Sequence, residues 1–171
     1  MSELVCVMGV SAAGKTTVGT ALARVLGVPF VDADALHPES NRAKMASGTP
    51  LTDEDRWPWL DAVGASLAAH RERGAVMACS ALRRVYRDRI RAAAPGVVFV
   101  HLTGSRELLA SRAAARTGHF MPPELLDSQL ATLEPLEPDE RGQQADVSLP
   151  VDDLIAAIVA GLRTVDSGSE F

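Results

Sequence analysis

Gly9-Val10-Ser11-Ala12-Ala13-Gly14-Lys15-Thr16 stands between an apolar run, Leu4–Met8, and a helix-forming stretch, Val18–Leu26. The spacing G-x-x-x-x-G-K-T is that of a phosphate-binding P-loop, and strand before and helix after are the context that the motif requires. Glycines let the chain wrap an anion, successive backbone N–H groups from Gly9 through Ala12, Ala13 and Gly14 point inward, and the next helix presents its positive end. Lys15 then reaches the β- and γ-phosphates of a nucleotide, and Thr16 offers its hydroxyl to Mg²⁺. A rival strand–turn–helix motif, the G-x-S-x-G nucleophile elbow, starts with the same Gly9-Val10-Ser11, but Ala13 stands where its second glycine is needed. It also leaves Gly14-Lys15-Thr16 without a purpose.

The chain has 171 residues, the length of one domain that buries close to ~70% of its unfolded surface. Cys6 and Cys79 both fall in apolar, strand-like segments, which fits two free thiols in a reducing cytoplasm. The four histidines, His37, His70, His101 and His119, are scattered without zinc-ligand spacing. A formal charge of −5 argues against general nucleic-acid binding, while leaving room for a local cationic cluster around a small anion. Neither an export signal nor a run of ~18 apolar residues is expected, so no membrane partner is inferred. The end, 167–171, reads as a polar tail or cloning scar.

Five short apolar runs, Leu4–Met8, Pro29–Asp32, Ala75–Ser80, Val97–Leu102 and Ala145–Leu149, alternate with helical stretches. That rhythm predicts an α/β fold with a parallel sheet covered on both faces. Helices are expected near Lys15–Leu26, Glu54–Arg73, Arg84–Ala94, Ser105–Thr117, Pro123–Leu133 and Val151–Val165. Thr52 to Asp55 resembles a capping box, and Ser105 with Glu107 opens a later helix. Residues 1–166 are expected to form a single domain, interrupted by a substrate-binding insertion at about 38–60 and a lid at about 112–125.

Open α/β sheets bind ligands beyond the C-terminal ends of their strands. After the second strand come Asp32 and Asp34, suited to supporting a metal ion and to accepting a proton from an attacking hydroxyl, or else to capping the next helix. The insertion supplies Lys44 and Arg56, and Cys79-Ser80-Ala81-Leu82 is followed by Arg83 and Arg84. Arginine's planar fork suits a carboxylate or phosphate, and Arg83 is the nearer to the strand end. Arg106, Arg112 and Arg116 lead into Thr117-Gly118-His119-Phe120-Met121-Pro122-Pro123, the punctuation of a lid with arginines at its hinge. His119 has no evident partner and serves substrate contact or lid packing equally well.

Taken together, Gly9-Val10-Ser11 with Gly14-Lys15-Thr16, Asp32-x-Asp34-x-Leu36-His37-Pro38, Asn41, Lys44-Met45-x-x-Gly48-x-Pro50-Leu51-x-Asp53-x-Asp55-Arg56-x-Pro58-Trp59-Leu60, Cys79-Ser80-Ala81-Leu82, Tyr86-Arg87-Asp88 and Arg116-x-x-His119-Phe120-Met121-Pro122 resemble the bacterial gluconokinase family over nearly all of residues 4–136. The resemblance implies a P-loop NTPase fold of the nucleoside- and shikimate-kinase type, a three-layer sandwich with sheet order 2-3-1-4-5. It also implies transfer of the ATP γ-phosphoryl to D-gluconate with Mg²⁺, commonly by a homodimer. By that resemblance Gly14, Lys15, Thr16 and Thr17 hold phosphates, Asp34 orients or deprotonates the hydroxyl, and Asp32 supports the metal with Thr16. Arg112 and Arg116 serve nucleotide and phosphoryl group, Lys15 and Arg116 with Asp34 being the catalytic set. His37, Lys44, Arg56, Arg83 and His119 are candidates for gluconate, with the carboxylate cation unranked among Lys44, Arg56 and Arg83. The alternatives are a kinase for another small hydroxy acid such as shikimate, or a non-enzymatic nucleotide-binding module. The family loop usually reads Gly-Val-Ser-Gly-Ser-Gly-Lys, whereas Ala12 and Ala13 stand here. A Cβ resists positive φ and a serine hydroxyl is lost, so nucleotide affinity is expected to differ. Pro138–Asp146 carries no recognisable base-binding signal.

Overall fold

The computed structural model describes residues 2–116 and 123–167. Its centre is β1 (Leu4–Met8), buried at all five positions, because helices cover both faces of the sheet and leave no polar side. Around it lie β2 (Phe30–Asp32), β3 (Ala75–Ala78), β4 (Val98–Thr103) and β5 (Gly142–Asp146), all parallel in the order β2-β3-β1-β4-β5. Cys6 pairs with Met77 and Phe99 while Val7 pairs with Ala78 and Val100, so alternate residues feed two separate cores.

Val5, Val7, Val76, Val98 and Val100 face one core with α1 (Lys15–Leu26), α5 (Arg106–Ala115), α6 (Pro123–Thr132) and α7 (Val151–Ser167). Leu4, Cys6, Met8, Met77 and Phe99 face the other with α3 (Asp53–Ala69) and α4 (Arg84–Ala93). Each fully buried aliphatic side chain contributes about 1.5–3 kcal/mol. Helices α3 and α4 approach closely where glycine permits. A Cβ on Gly64 of α3 would stand 2.8 Å from Ala93 Cβ and 3.3 Å from the Ile90 carbonyl of α4.

The capping box is present: Thr52 Oγ1 accepts from the Asp55 N–H at 3.2 Å and Asp55 Oδ2 accepts from the Thr52 N–H at 2.9 Å. Ser105 caps α5 by accepting from the Leu108 N–H. Several bounds differ from those expected. The fifth strand is Gly142–Asp146 rather than Ala145–Leu149, and α3 ends at Ala69 rather than Arg73. An extra helix, α2 (Glu39–Ala46), occupies the insertion, and α7 continues through Ser167 into the expected tail. Ala12 and Ala13 do not take positive φ; with half-buried Ser11 they form a 3-10 turn in which both alanines are buried, and Gly9 (φ 144°) and Gly14 (φ 87°) carry the left-handed positions. The alanine Cβ atoms therefore put no strain on the loop.

Among the described residues the single non-glycine residue with positive φ is Ala81 (φ 43°), just beyond β3. Arg87, wholly buried on α4, holds that turn by donating NH1 to the Ala81 and Leu82 carbonyls at 3.0 and 3.3 Å. Its other donors meet Glu140 Oε1 at 2.7 Å, Glu140 Oε2 at 3.0 Å and the Pro135 carbonyl at 3.3 Å. Burial alone would raise the Glu140 carboxyl, but Arg87, the Glu137 N–H and Arg91 outweigh it and hold it at about 2.

Candidate active site

Gly14, in the left-handed region, starts α1, and the first N–H groups of that helix have no intrahelical acceptors. They open on a cavity of about 480 Å³ lined by Ser11 through Val18, Asp34, Arg112, Arg116, Val147, Leu149, Val151 and Leu154. Lys15 Nζ donates to the carbonyls of Gly9 at 2.9 Å and Val10 at 3.0 Å, bending back over the loop. Burial pushes the Lys15 ammonium below the usual lysine value, opposed by Cys79, Asp34 and Asp32 and reinforced by Arg116. Gly9 donates its N–H to the Ser80 carbonyl, which joins the loop to the end of β3.

Asp32 ends β2 and accepts from the Asp34 N–H at 2.9 Å, so its carboxylate does cap the short 3-10 turn Ala33–Leu36. Asp34 is exposed and lines the cavity opposite Lys15, Arg112 and Arg116. Arg112 donates NH2 to the Val147 carbonyl at 2.6 Å, and Arg116 donates NH1 to the Ser11 carbonyl at 3.2 Å. Gln129 on α6 also reaches Ser11: its Oε1 accepts from the Ser11 N–H at 2.8 Å, and its Nε2 donates to Ser11 Oγ at 2.8 Å. No group of three His, Cys, Asp or Glu side chains able to hold a metal exists among the described residues. One hydroxyl, Thr16, and the carboxylates of Asp32 and Asp34 near Lys15 suit Mg²⁺, which keeps waters and binds phosphate oxygens instead of a full protein cage.

On the insertion side, His37 is buried, stacked on Trp59 at 4.1 Å between ring centroids, with Asn41 Nδ2 3.3 Å from its Nδ1. Burial pushes its pKa down, with Arg42 and Arg56 acting the same way against Asp34. Lys44 donates to Asp55 at 2.7 Å. With the Thr52 N–H, that contact holds the Asp55 carboxyl down at about 2. The other two candidate cations converge. Arg83 NH1 donates to Asp53 Oδ2 at 2.8 Å, Arg56 NH1 lies 3.5 Å from Asp53 Oδ1, and Tyr86 donates its hydroxyl to Asp53 Oδ1 at 2.6 Å. Both guanidinium groups lie over the Tyr86 ring, at 5.4 and 5.6 Å from its centroid. The Tyr86 hydrogen bond, followed by Arg83 and Arg56, holds the Asp53 carboxyl below its usual value.

The geometry thus brings Lys15, Asp34, Arg112 and Arg116 to one cavity and Arg56 with Arg83 to another cluster, while Lys44 lies in an ion pair at the start of α3. His119 and the rest of residues 117–122 of the expected lid lie outside the described residues, as do 168–171 of the tail. Sequence reasoning missed the apolar wall Val147, Leu149, Val151 and Leu154, as well as Asp53 and Gln129. The sequence carried no signal for the first group, since Leu149 reads as a strand end and Val151 as a helix start; only the fold shows these large apolar residues left 41% and 40% exposed.

A parallel sheet of order 2-3-1-4-5, a P-loop after its central strand and arginines facing that loop define a P-loop phosphotransferase, and the AAA domain family matches residues 4–136. The gluconokinase of Gluconobacter oxydans is 52% identical over 139 residues, 78% of this chain and 76% of that protein. The thermosensitive gluconokinase of Escherichia coli is 44% identical over 142 residues, covering 81% and 75%. The crystal structure of a gluconokinase from Sinorhizobium meliloti superposes with a TM-score of 0.88 at 48% identity, covering 96% of this chain and 94% of that one. The chain belongs to the gluconokinase family.

Proposed function

We propose that the protein transfers the γ-phosphoryl group of ATP to the 6-hydroxyl of D-gluconate, giving 6-phosphogluconate. The observation that carries this reading is the single cavity in which P-loop amides, Lys15, Asp34, Arg112 and Arg116 meet. Amides of Ala12 to Thr17, with Gly9 shaping the turn, bind the phosphates, and Lys15 swings from the Gly9 and Val10 carbonyls onto the β/γ oxygens. Val147, Leu149, Val151 and Arg112 enclose the adenine and its sugar. Mg²⁺, held by Thr16 and supported by Asp32, would neutralise charge on the β- and γ-phosphates. Asp34 accepts the proton of the attacking hydroxyl, and Arg116 balances charge on the transferring group.

For the gluconate carboxylate we assign Arg83 and Arg56, whose planar forks are already aligned by Tyr86 and Asp53. Lys44 instead fastens α2 to α3 through Asp55. His37 contributes the inner wall of the 38–60 insertion, fixed by Trp59 and Asn41. We also take the enzyme to be a cytoplasmic homodimer; its two buried free thiols suit a reducing compartment, and no described helix is long and apolar enough to cross a membrane. A coupled assay of ADP release against a panel of sugar acids and shikimate tests the substrate. Turnover specific to gluconate supports the proposal, and ADP release independent of every acid overturns it.

A further inference from the structure

Beyond backbone bonds such as Gly9 N–H to the Ser80 carbonyl and Ala13 N–H to the Val10 carbonyl, the loop that would receive the triphosphate is held by few side chains. Neither Val10 nor Gly14, the residues that cap its two helical turns, makes a side-chain capping bond, and Ala12 and Ala13 bring no polar group. Three side chains among the described residues bond to the backbone of Gly9–Ser11: Lys15, Arg116 and Gln129. Two of these are cations facing the cavity, and a bound triphosphate draws both away from neutral carbonyls, because a charged acceptor makes the stronger hydrogen bond. The third is a neutral amide. It has no net charge to spend on phosphate, and its contacts are directed at one residue. Oε1 accepts from the Ser11 N–H at 2.8 Å and from Ser11 Oγ at 3.1 Å, while Nε2 donates to Ser11 Oγ at 2.8 Å. Its helix is anchored independently by wholly buried Leu126 and by the ion pair from Arg106 to Asp127 at 2.7 Å. Gln129 is therefore a bracket on a fixed support, 118 residues along the chain from the loop it grips.

We propose that Gln129 is a positioning residue for phosphate binding: it holds Ser11, and through Ser11 the amides of the 3-10 turn, in place when Lys15 and Arg116 turn to the nucleotide. This rests on the reading of the P-loop cavity as the ATP site. Preorganisation of this kind appears in affinity for the phosphate-bearing ligand and not in contacts to the second substrate.

The test is ATP and ADP affinity by calorimetry, with KM for ATP and for gluconate, in wild type, Gln129→Leu, Gln129→Asn, Ser11→Ala and Ser11→Ala with Gln129→Leu. Gln129→Asn keeps a polar amide but is one methylene too short, which guards against a folding defect in the leucine variant. Expected are a roughly tenfold loss of ATP affinity in both Gln129 variants, the factor for about one net hydrogen bond, an unchanged KM for gluconate, and a double variant no weaker than Gln129→Leu alone. Thr132→Ala, on the same helix and removing a hydroxyl that donates to the Ser128 carbonyl, should match wild type. ATP affinity within twofold of wild type in the Gln129 variants overturns the proposal. So do parallel losses for ATP and gluconate, or effects of Ser11→Ala and Gln129→Leu that multiply. Failure of the wild type to bind ATP would instead overturn the underlying reading of the cavity.

Discussion

Replacing Glu140 with glutamine keeps the shape of the side chain and removes the charge that Arg87 is built around. Both side chains are wholly inaccessible to solvent, so the guanidinium would be left as an uncompensated buried cation. Two routes give the size of the effect. Glu140 is held at about 2 against an ordinary value of 4.5, and at 1.36 kcal/mol per unit that is about 3 kcal/mol. Removing one partner of a buried ion pair costs about 3–5 kcal/mol. In a chain of this size about 3 kcal/mol lowers Tm by roughly 10 °C. Because the folded-state pKa is depressed, this stabilisation is fully present above about pH 4.5 and is lost as pH falls towards 2. Urea unfolding between pH 5.5 and 3 should therefore show the wild type losing stability more steeply than Glu140→Gln. Arg87 also holds the Ala81 and Leu82 carbonyls that lead to Arg83, so KM for gluconate should rise while ATP affinity stays near wild type. A Tm within about 2 °C of wild type, together with an unchanged acid limb, would refute the argument.

Asp34→Asn should lower kcat about 10²–10⁴-fold with ATP affinity nearly intact, as measured by single-turnover kinetics and nucleotide titration; near-normal turnover would remove Asp34 from the role of base. Arg83→Ala should raise KM for gluconate by about 10- to 100-fold, the loss of a charge-assisted contact, whereas Lys44→Ala should mainly lower Tm, and the reverse pattern would exchange their roles. Gly64→Ala should destabilise by about 1–3 kcal/mol in urea titration, because its methyl group meets the backbone carbonyl of Ile90 as well as Ala93.

What the sequence made legible follows from where its signals are local. The P-loop, β1 and α1 are set by neighbours within a few residues, and α1 begins and ends where the motif and Gly27 place it. β5 went astray because it is an edge strand, Gly142-Gln143-Gln144-Ala145-Asp146, with one buried residue and no apolar run to mark it. α2 escaped for the same reason, since Asn41 is its one buried residue. Within the site, the acidic and cationic residue types were readable but their pairings were not. Asp55 of α3 pairs with Lys44 of α2, and Asp53 gathers Arg83 from the start of α4, through contacts between elements that no periodicity encodes; only the Asp53–Arg56 pair, three residues apart on α3, follows helical spacing. Gln129 left no trace because its partner is on the far side of the chain.

Cys6 and Cys79 carry a further consequence. The first lies in the central strand and the second follows β3 beside the loop; they are 0% and 2% exposed, and the hydrogen bond that the Cys6 thiol makes to Cys79, with burial, pushes the Cys6 thiol up. A protonated thiol beneath two layers of helices reacts with an alkylating reagent only when the middle of the sheet parts. These are the chain's two thiols, so labelling kinetics time that event without any introduced probe. On the proposed reading nucleotide binds at the loop that follows β1, and the degree to which it slows the labelling then measures, in the unmodified enzyme, how far ligand at the rim steadies the centre of the molecule.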